Sequence, residues 1–291
     1  MIALRDYIVD EVALDCRDGL LSRRDALRRL GLLGLSSAAA AAVLAACGDD
    51  DATSVKTTTT SASAAPASGD EIRFPGPNGE LIGVLATASP AAGAVLVIHE
   101  NRGLTAHIRS LPARLSADGY TALAIDLLSA QGGTAKMGEG EATAALGNAP
   151  AEQLIADLRA GLDELGRRAP GAGLATIGFC FGGGMTWQLL VAREPRLAAA
   201  VPFYGPFPEG SSVDGSPNAA VLGIYAELDD RVNATLDAAE EALTAAGLTH
   251  EVRVFEGVDH AFFNDTGPRY DEEAAAEAYQ AMLDWFGLHL T

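Results

Sequence analysis

From residue 71 onward, short and almost wholly apolar runs alternate with longer segments of helical period. Residues 71–74 and 81–86, separated by Pro75-Gly-Pro-Asn-Gly79, predict a hairpin of two edge strands. Residues 94–99 and 121–127 are continuous apolar runs, as expected of strands buried on both faces. Residues 175–179, 198–204, 220–225 and 251–255 predict four more strands. Helical patterns occupy 105–118, 151–168, 236–246 and 272–290, and another follows Gly184 through Met185, Leu189, Val191 and Ala192. In 151–168 the period places Leu154, Leu158, Leu162 and Leu165 on one face. Strands alternating with helices predict an α/β fold, a mostly parallel sheet covered by helices on both faces. Function then collects at the C-terminal ends of the strands.

Before residue 71 the pattern changes twice. Leu4, Ile8 and Val12 lie at helical spacing and predict a short amphipathic helix. Ser22-Arg23-Arg24-Asp25-Ala26-Leu27-Arg28 resembles a twin-arginine export signal, with Ala26 where a bulky residue is usual. A weakly apolar run, 30–46, leads to Leu44-Ala45-Ala46-Cys47, which resembles the lipobox at which bacterial lipoproteins are cleaved and lipidated on cysteine. An uncleaved anchor is the alternative, but the run is shorter than the ~20 residues of a spanning helix. Residues 1–47 are therefore expected to be an export segment rather than part of the fold. Residues 48–70, with Thr57-Thr-Thr-Thr60 and a Ser/Ala/Pro tail, lack apolar period and predict a solvated linker. Residues 71–291 are the folded domain. The expected location is the outer side of a bacterial cytoplasmic membrane, anchored through Cys47; a cytoplasmic protein is the alternative.

Composition narrows the partners. The net charge is −19 and the only lysines are Lys56 and Lys136. Nucleic acid is excluded as a partner, since phosphate contacts need clustered cations. A chain of 291 residues, 48% hydrophobic, can bury one substantial core. Five histidines show no paired spacing, and Cys16, Cys47 and Cys180 are far apart, so no metal site or cofactor is expected. If Cys47 is the processed N-terminus, Cys180 is the one thiol left in the mature protein.

Candidate chemistry centres on Gly178-Phe-Cys180-Phe-Gly182, the nucleophile-elbow spacing with cysteine in place of serine. A side chain on so sharp a turn needs small neighbours two positions away, and the following helix favours a thiolate. Taken alone, a cysteine among glycines is commonly a small buried hydrophobe. Later strand ends supply what an elbow requires. Asp229 and Asp230 follow 220–225, and His260 follows 251–255. The order Cys180, Asp229, His260 is the nucleophile–acid–histidine order of an α/β-hydrolase. His260 would take the thiol proton and Asp229 would hold the imidazole. Asp230 is the rival acid; Asp229 lies nearer the strand end.

The chain resembles the dienelactone hydrolase (carboxymethylenebutenolidase) family over residue 71 to the C-terminus. The matching segments are Val97-Ile-His-Glu100-Asn-Arg102-Gly, Asp126-Leu-Leu, the elbow, Glu227-Leu-Asp229-Asp-Arg-Val and Asp259-His260-Ala-Phe-Phe. The resemblance implies a Cys180–His260–Asp229 triad that cleaves a small ester or lactone through an acyl-enzyme. It also implies a Glu100 that controls the resting thiol, and an oxyanion hole from the backbone N–H groups of Phe181 and Asn101. Two arginines that bind a substrate carboxylate in relatives correspond to Ala130 and Asn264 here. Arg102 is the nearby cation, and neutral substrates are expected to be cleaved at least as well as acidic ones. A non-catalytic ligand-binding lipoprotein, or a thioesterase or other acyl hydrolase, are the alternatives.

Overall fold

The structure, a computed structural model, describes residues 4–46 and 69–290; Cys47 and nearly all of the expected linker lie outside the described residues. Eight strands form one sheet: β1 Asp70–Gly76, β2 Gly79–Ala86, β3 Gly93–Ile98, β4 Tyr120–Asp126, β5 Leu174–Phe179, β6 Leu197–Phe203, β7 Ala220–Ala226 and β8 His250–Phe255. Their order is β1-β2-β4-β3-β5-β6-β7-β8. β1 and β2 run antiparallel to their neighbours, and every other pairing is parallel. Every residue of β3, β4 and β7 is buried. Because successive side chains point to opposite faces, such strands require cover on both sides. β2 is an interior strand, paired with β1 and with β4, and not the edge the hairpin pattern predicts. Its run from Leu81 to Leu85 is buried, which an edge position would not allow.

Ten helices complete the described chain: α1 Leu4–Arg17, α2 Arg23–Leu32, α3 Ser37–Ala46, α4 Ala106–Ala117, α5 Glu139–Asn148, α6 Ala151–Arg168, α7 Phe181–Val191, α8 Asp230–Asn233, α9 Leu236–Ala246 and α10 Glu272–His289. α6 presents Leu154, Leu158, Leu162 and Leu165, all buried, as its period predicts. α7 begins at Phe181, four residues earlier than the apolar pattern suggests, so Gly182 to Gly184 lie inside its first turn. α5 was not expected, because Gly140, Gly147 and a run of alanines give it little apolar period.

Residues 4–46 form three helices packed on the domain and contribute Ile8, Val12, Leu30, Leu33 and Leu44 to the core. Ser22 caps α2 by accepting from the Asp25 amide at 3.1 Å, which places Arg23 and Arg24 in its first turn. The apolar run 30–46 is split between the end of α2 and α3. Ten residues of α3 rise about 15 Å, half of a ~30 Å hydrocarbon core. No helix among the described residues is long and apolar enough to cross a membrane.

Candidate active site

β5 drives straight into α7, and the connecting residue, Cys180, takes φ 55° and ψ −116°. A left-handed φ at a residue with a Cβ costs of order 1–3 kcal/mol, so the surroundings must hold it there. Close approach explains the neighbouring glycines. A Cβ on Gly178 would meet the Gly182 carbonyl oxygen at 2.0 Å, and one on Gly182 would meet the Ile98 oxygen at 2.3 Å. The Cys180 amide donates to the Phe203 oxygen at 3.1 Å, tying the elbow to β6. Two other residues with positive φ, Tyr204 (36°) and Ala261 (64°), flank the same site.

Three strand ends converge here. His260, after β8, has its Nδ1 2.5 Å from Asp229 Oδ2, and Asp229 follows β7. The other Asp229 oxygen accepts from the Val232 amide at 3.2 Å. Asp230 opens α8 and is exposed, so of the two candidates the structure brings Asp229 to the histidine. The Tyr204 ring lies edge-on to His260, centroids 5.1 Å apart. Cys180, His260 and Asp229 are 3%, 5% and 4% exposed. Glu100, past β3, accepts from Asn264 Nδ2 at 2.7 Å, and its second oxygen is buried without a partner among the described residues. Asn264 thus orients Glu100. Ala130 sits exposed on a short turn, Ser129–Gln131. Asn101 lines the cavity beside Cys180, and Phe181 opens α7 at the base of the elbow.

α1 fills the space above the thiol. The Tyr7 hydroxyl lies 3.3 Å from Cys180 Sγ. Glu11 Oε1 lies 3.3 Å from His260 Nε2, and its other oxygen accepts from Arg231. Asp15 stands 3.6 Å from Arg102 and 3.4 Å from Arg269. The Arg231 guanidinium lies over the Tyr7 ring, 4.4 Å from its centroid. What remains is a cavity of about 50 Å³, lined in part by Cys180, His260, Glu100, Arg102 and Arg269.

Charge and burial set the proton balance. Burial pushes the Cys180 thiol up, Glu11 and Glu100 push it further, and His260 pulls it back. Burial opposes an imidazolium at His260, yet Glu11, Asp229 and Cys180 outweigh it and hold that histidine well above its usual range. Asp229 is held below the carboxylate range, because His260 and Arg231 overcome its burial. Burial raises Glu100 despite His107, Arg102 and the Asn264 hydrogen bond. The ligand atoms of Glu11, Cys180 and His260 lie within 4.8 Å of one another, the one group among the described residues with the spacing of a metal site. A thiol and an imidazole at the mouth of an elbow have the donor chemistry of a catalytic pair as much as that of a metal centre.

Sequence reading singled out Cys180, Asp229, His260, Glu100, Asn101, Phe181 and Arg102, and the structure gathers all seven. It missed Tyr7, Glu11, Asp15, Tyr204 and Arg269. The available signal was at 7, 11 and 15, one helical face on which two acids sit among residues of apolar period.

An eight-stranded sheet in this order, with a strained elbow after β5 and an acid and a histidine after later strands, defines an α/β-hydrolase. A family model, dienelactone hydrolase family, matches residues 81–290. The chain belongs to that family, hydrolases of ester and lactone bonds. A Salmonella typhi protein bearing the name carboxymethylenebutenolidase is 32% identical over 209 residues, covering 67% of this chain and 77% of its own. A Methylorubrum extorquens protein of the same name is 33% identical over 217 residues, 68% and 74% of the two chains. The crystal structure of a Klebsiella pneumoniae protein named as a dienelactone hydrolase superimposes with a TM-score of 0.67 at 31% identity, covering 76% of this chain and 98% of that one.

Proposed function

We propose that this hydrolase cleaves a small ester or lactone through Cys180, with His260 as proton carrier and Asp229 as its positioning partner. The observation that carries the reading is the 2.5 Å contact of His260 Nδ1 with Asp229, made beside a cysteine at φ 55°. In the first half-reaction His260 Nε2 takes the thiol proton as Sγ bonds to the acyl carbon. The amides of Phe181 and Asn101 receive the oxyanion, the acyl C–O bond breaks, and His260 returns the proton to the leaving oxygen. Water then attacks the thioester by the same route, freeing the acid and restoring the thiol. Burial disfavours the charged form of Glu100, which lessens repulsion of the thiolate beside it. Arg102 and Arg269 at the cavity wall suit a negatively charged group on the substrate.

Intact mass after incubation with a slow p-nitrophenyl ester tests the nucleophile. The mass of the fragment carrying Cys180, after the folded chain is cut within 48–68, should rise by one acyl group and stay unchanged in Cys180→Ala. Turnover that persists in Cys180→Ala would remove Cys180 from the role. Export and lipidation at Cys47 stand as a second proposal, supported by the twin-arginine and lipobox resemblances. Mass spectrometry of the protein from its native membrane fraction should find an N-terminal lipidated Cys47; an intact Met1 there would refute it.

A further inference from the structure

We propose that α1 is an autoinhibitory latch: residues 4–46, while attached, occupy the catalytic cleft and keep the hydrolase silent. The inference rests on the reading of Cys180 as nucleophile. Three side chains one helical turn apart do the work, because positions 7, 11 and 15 fall on one face. Tyr7 covers the sulfur at 3.3 Å, Glu11 meets the His260 nitrogen that must take the thiol proton, and Asp15 reaches Arg102 and Arg269. Asp18, just beyond the helix, also pairs with Arg269. The residual cavity of about 50 Å³ admits a few waters. Pockets that take organic ligands run from roughly 300 Å³. An ester therefore cannot reach Sγ without moving α1.

Proton chemistry points the same way. Glu11 favours the protonated form of His260, and burial disfavours the thiolate at Cys180. Both directions work against the free base and the thiolate that attack on an ester needs. Behind its polar face α1 is seated on apolar residues. Ile8 and Val12 are buried, and Ile8 with Leu33 stands against Gly147 of α5. α2 ties the arrangement to α5 through Arg29–Glu139 at 3.2 Å and Asn148 to the Leu32 oxygen at 3.3 Å. Residues 47–68 are the covalent link, so the latch acts intramolecularly, at high effective concentration. Cutting that link turns the contact into a bimolecular one.

The full chain tests this in two forms. One carries Ile8→Asp with Val12→Asp, which removes the apolar seat and leaves every group at the cleft. The other has a specific protease site placed within 48–68 and is cut after folding, then assayed at nanomolar concentration. Iodoacetamide labelling of Cys180 is read by peptide mass spectrometry, apart from Cys16 and Cys47, alongside p-nitrophenyl acetate turnover. Both rates should rise at least about tenfold over the uncut wild type in each form. Unchanged labelling in the cut form would overturn the latch, whether or not the double variant folds. A fall in turnover on release would also overturn it, making α1 a working wall of the site. Labelling that rises without any turnover would uphold the latch and refute Cys180 as the nucleophile.

Discussion

Glu11→Gln isolates the electrostatic part of the contact between α1 and His260. The substitution keeps the size of the side chain and a hydrogen-bonding oxygen but deletes its charge. Coulomb's law for Glu11 and an imidazolium at 3.3 Å gives roughly 5 kcal/mol at an effective dielectric of about 20. Arg231 already engages the other Glu11 oxygen and cancels much of that. A net effect of at least about one pH unit, near 1.4 kcal/mol, is the expected remainder. The sign is fixed: removing an anion makes loss of the proton easier, so His260 should titrate at lower pH. Cys180→Ala serves as background, because the thiol otherwise titrates together with the imidazole. Histidine-labelled protein has five signals to follow, and His260 is assigned by its loss in His260→Gln. Asp229 remains, so His260 should still lie above its ordinary value in the variant. The Glu11–His260 contact is fully present below the unfolded histidine value near ~6.5 and is lost as pH rises through the elevated titration of the folded state. In the Gln variant that loss is already complete. A His260 titration that stays put, or moves upward, would refute the electrostatic account of the site.

With α1 displaced, alanine at Asp229 should lower kcat by about 10²–10⁴-fold, whereas Asp230→Ala should change it less than about threefold; steady-state kinetics on both decides which acid serves His260. Gly182→Ala drives a Cβ to 2.3 and 2.7 Å from the backbone oxygens of Ile98 and His99. Backbone cannot rotate away, so a cost of about 3 kcal/mol and a fall of roughly 6–12 °C in Tm are expected by thermal unfolding. With α1 displaced, an acidic lactone should be cleaved about tenfold better than its neutral methyl ester, and the preference should vanish in Arg102→Ala/Arg269→Ala. Equal or better cleavage of the neutral ester would return the expectation drawn from Ala130 and Asn264 alone.

Much of this protein was legible in one dimension, because the signals involved are local. Apolar runs fixed which segments become strands, and a buried strand is a property of its own residues. Helical period found α6, and it failed for α5, whose alanines and glycines carry almost no contrast. The start of α7 was misjudged for a related reason: glycines there read as a turn, yet they lie in the helix so that it can press against β3. Cys180, Asp229 and His260 were findable because each follows directly on a strand, and strand ends meet in a parallel sheet.

What the sequence alone determined, then, was the order of elements, the elbow and the candidate residues Cys180 and His260, each encoded within about ten neighbouring positions. Tertiary structure alone decided the choice between Asp229 and Asp230, because adjacent residues differ only in the direction they face. It alone paired Asn264 with Glu100 and brought Arg269 to the cavity wall. Above all, it laid residues 4–46 across the catalytic cleft. Local pattern marks that segment as amphipathic, then basic, then weakly apolar. The contact of Tyr7 with Cys180 spans 173 positions, and a pairing at such separation arises only once the sheet exists to supply the surface on which α1 packs.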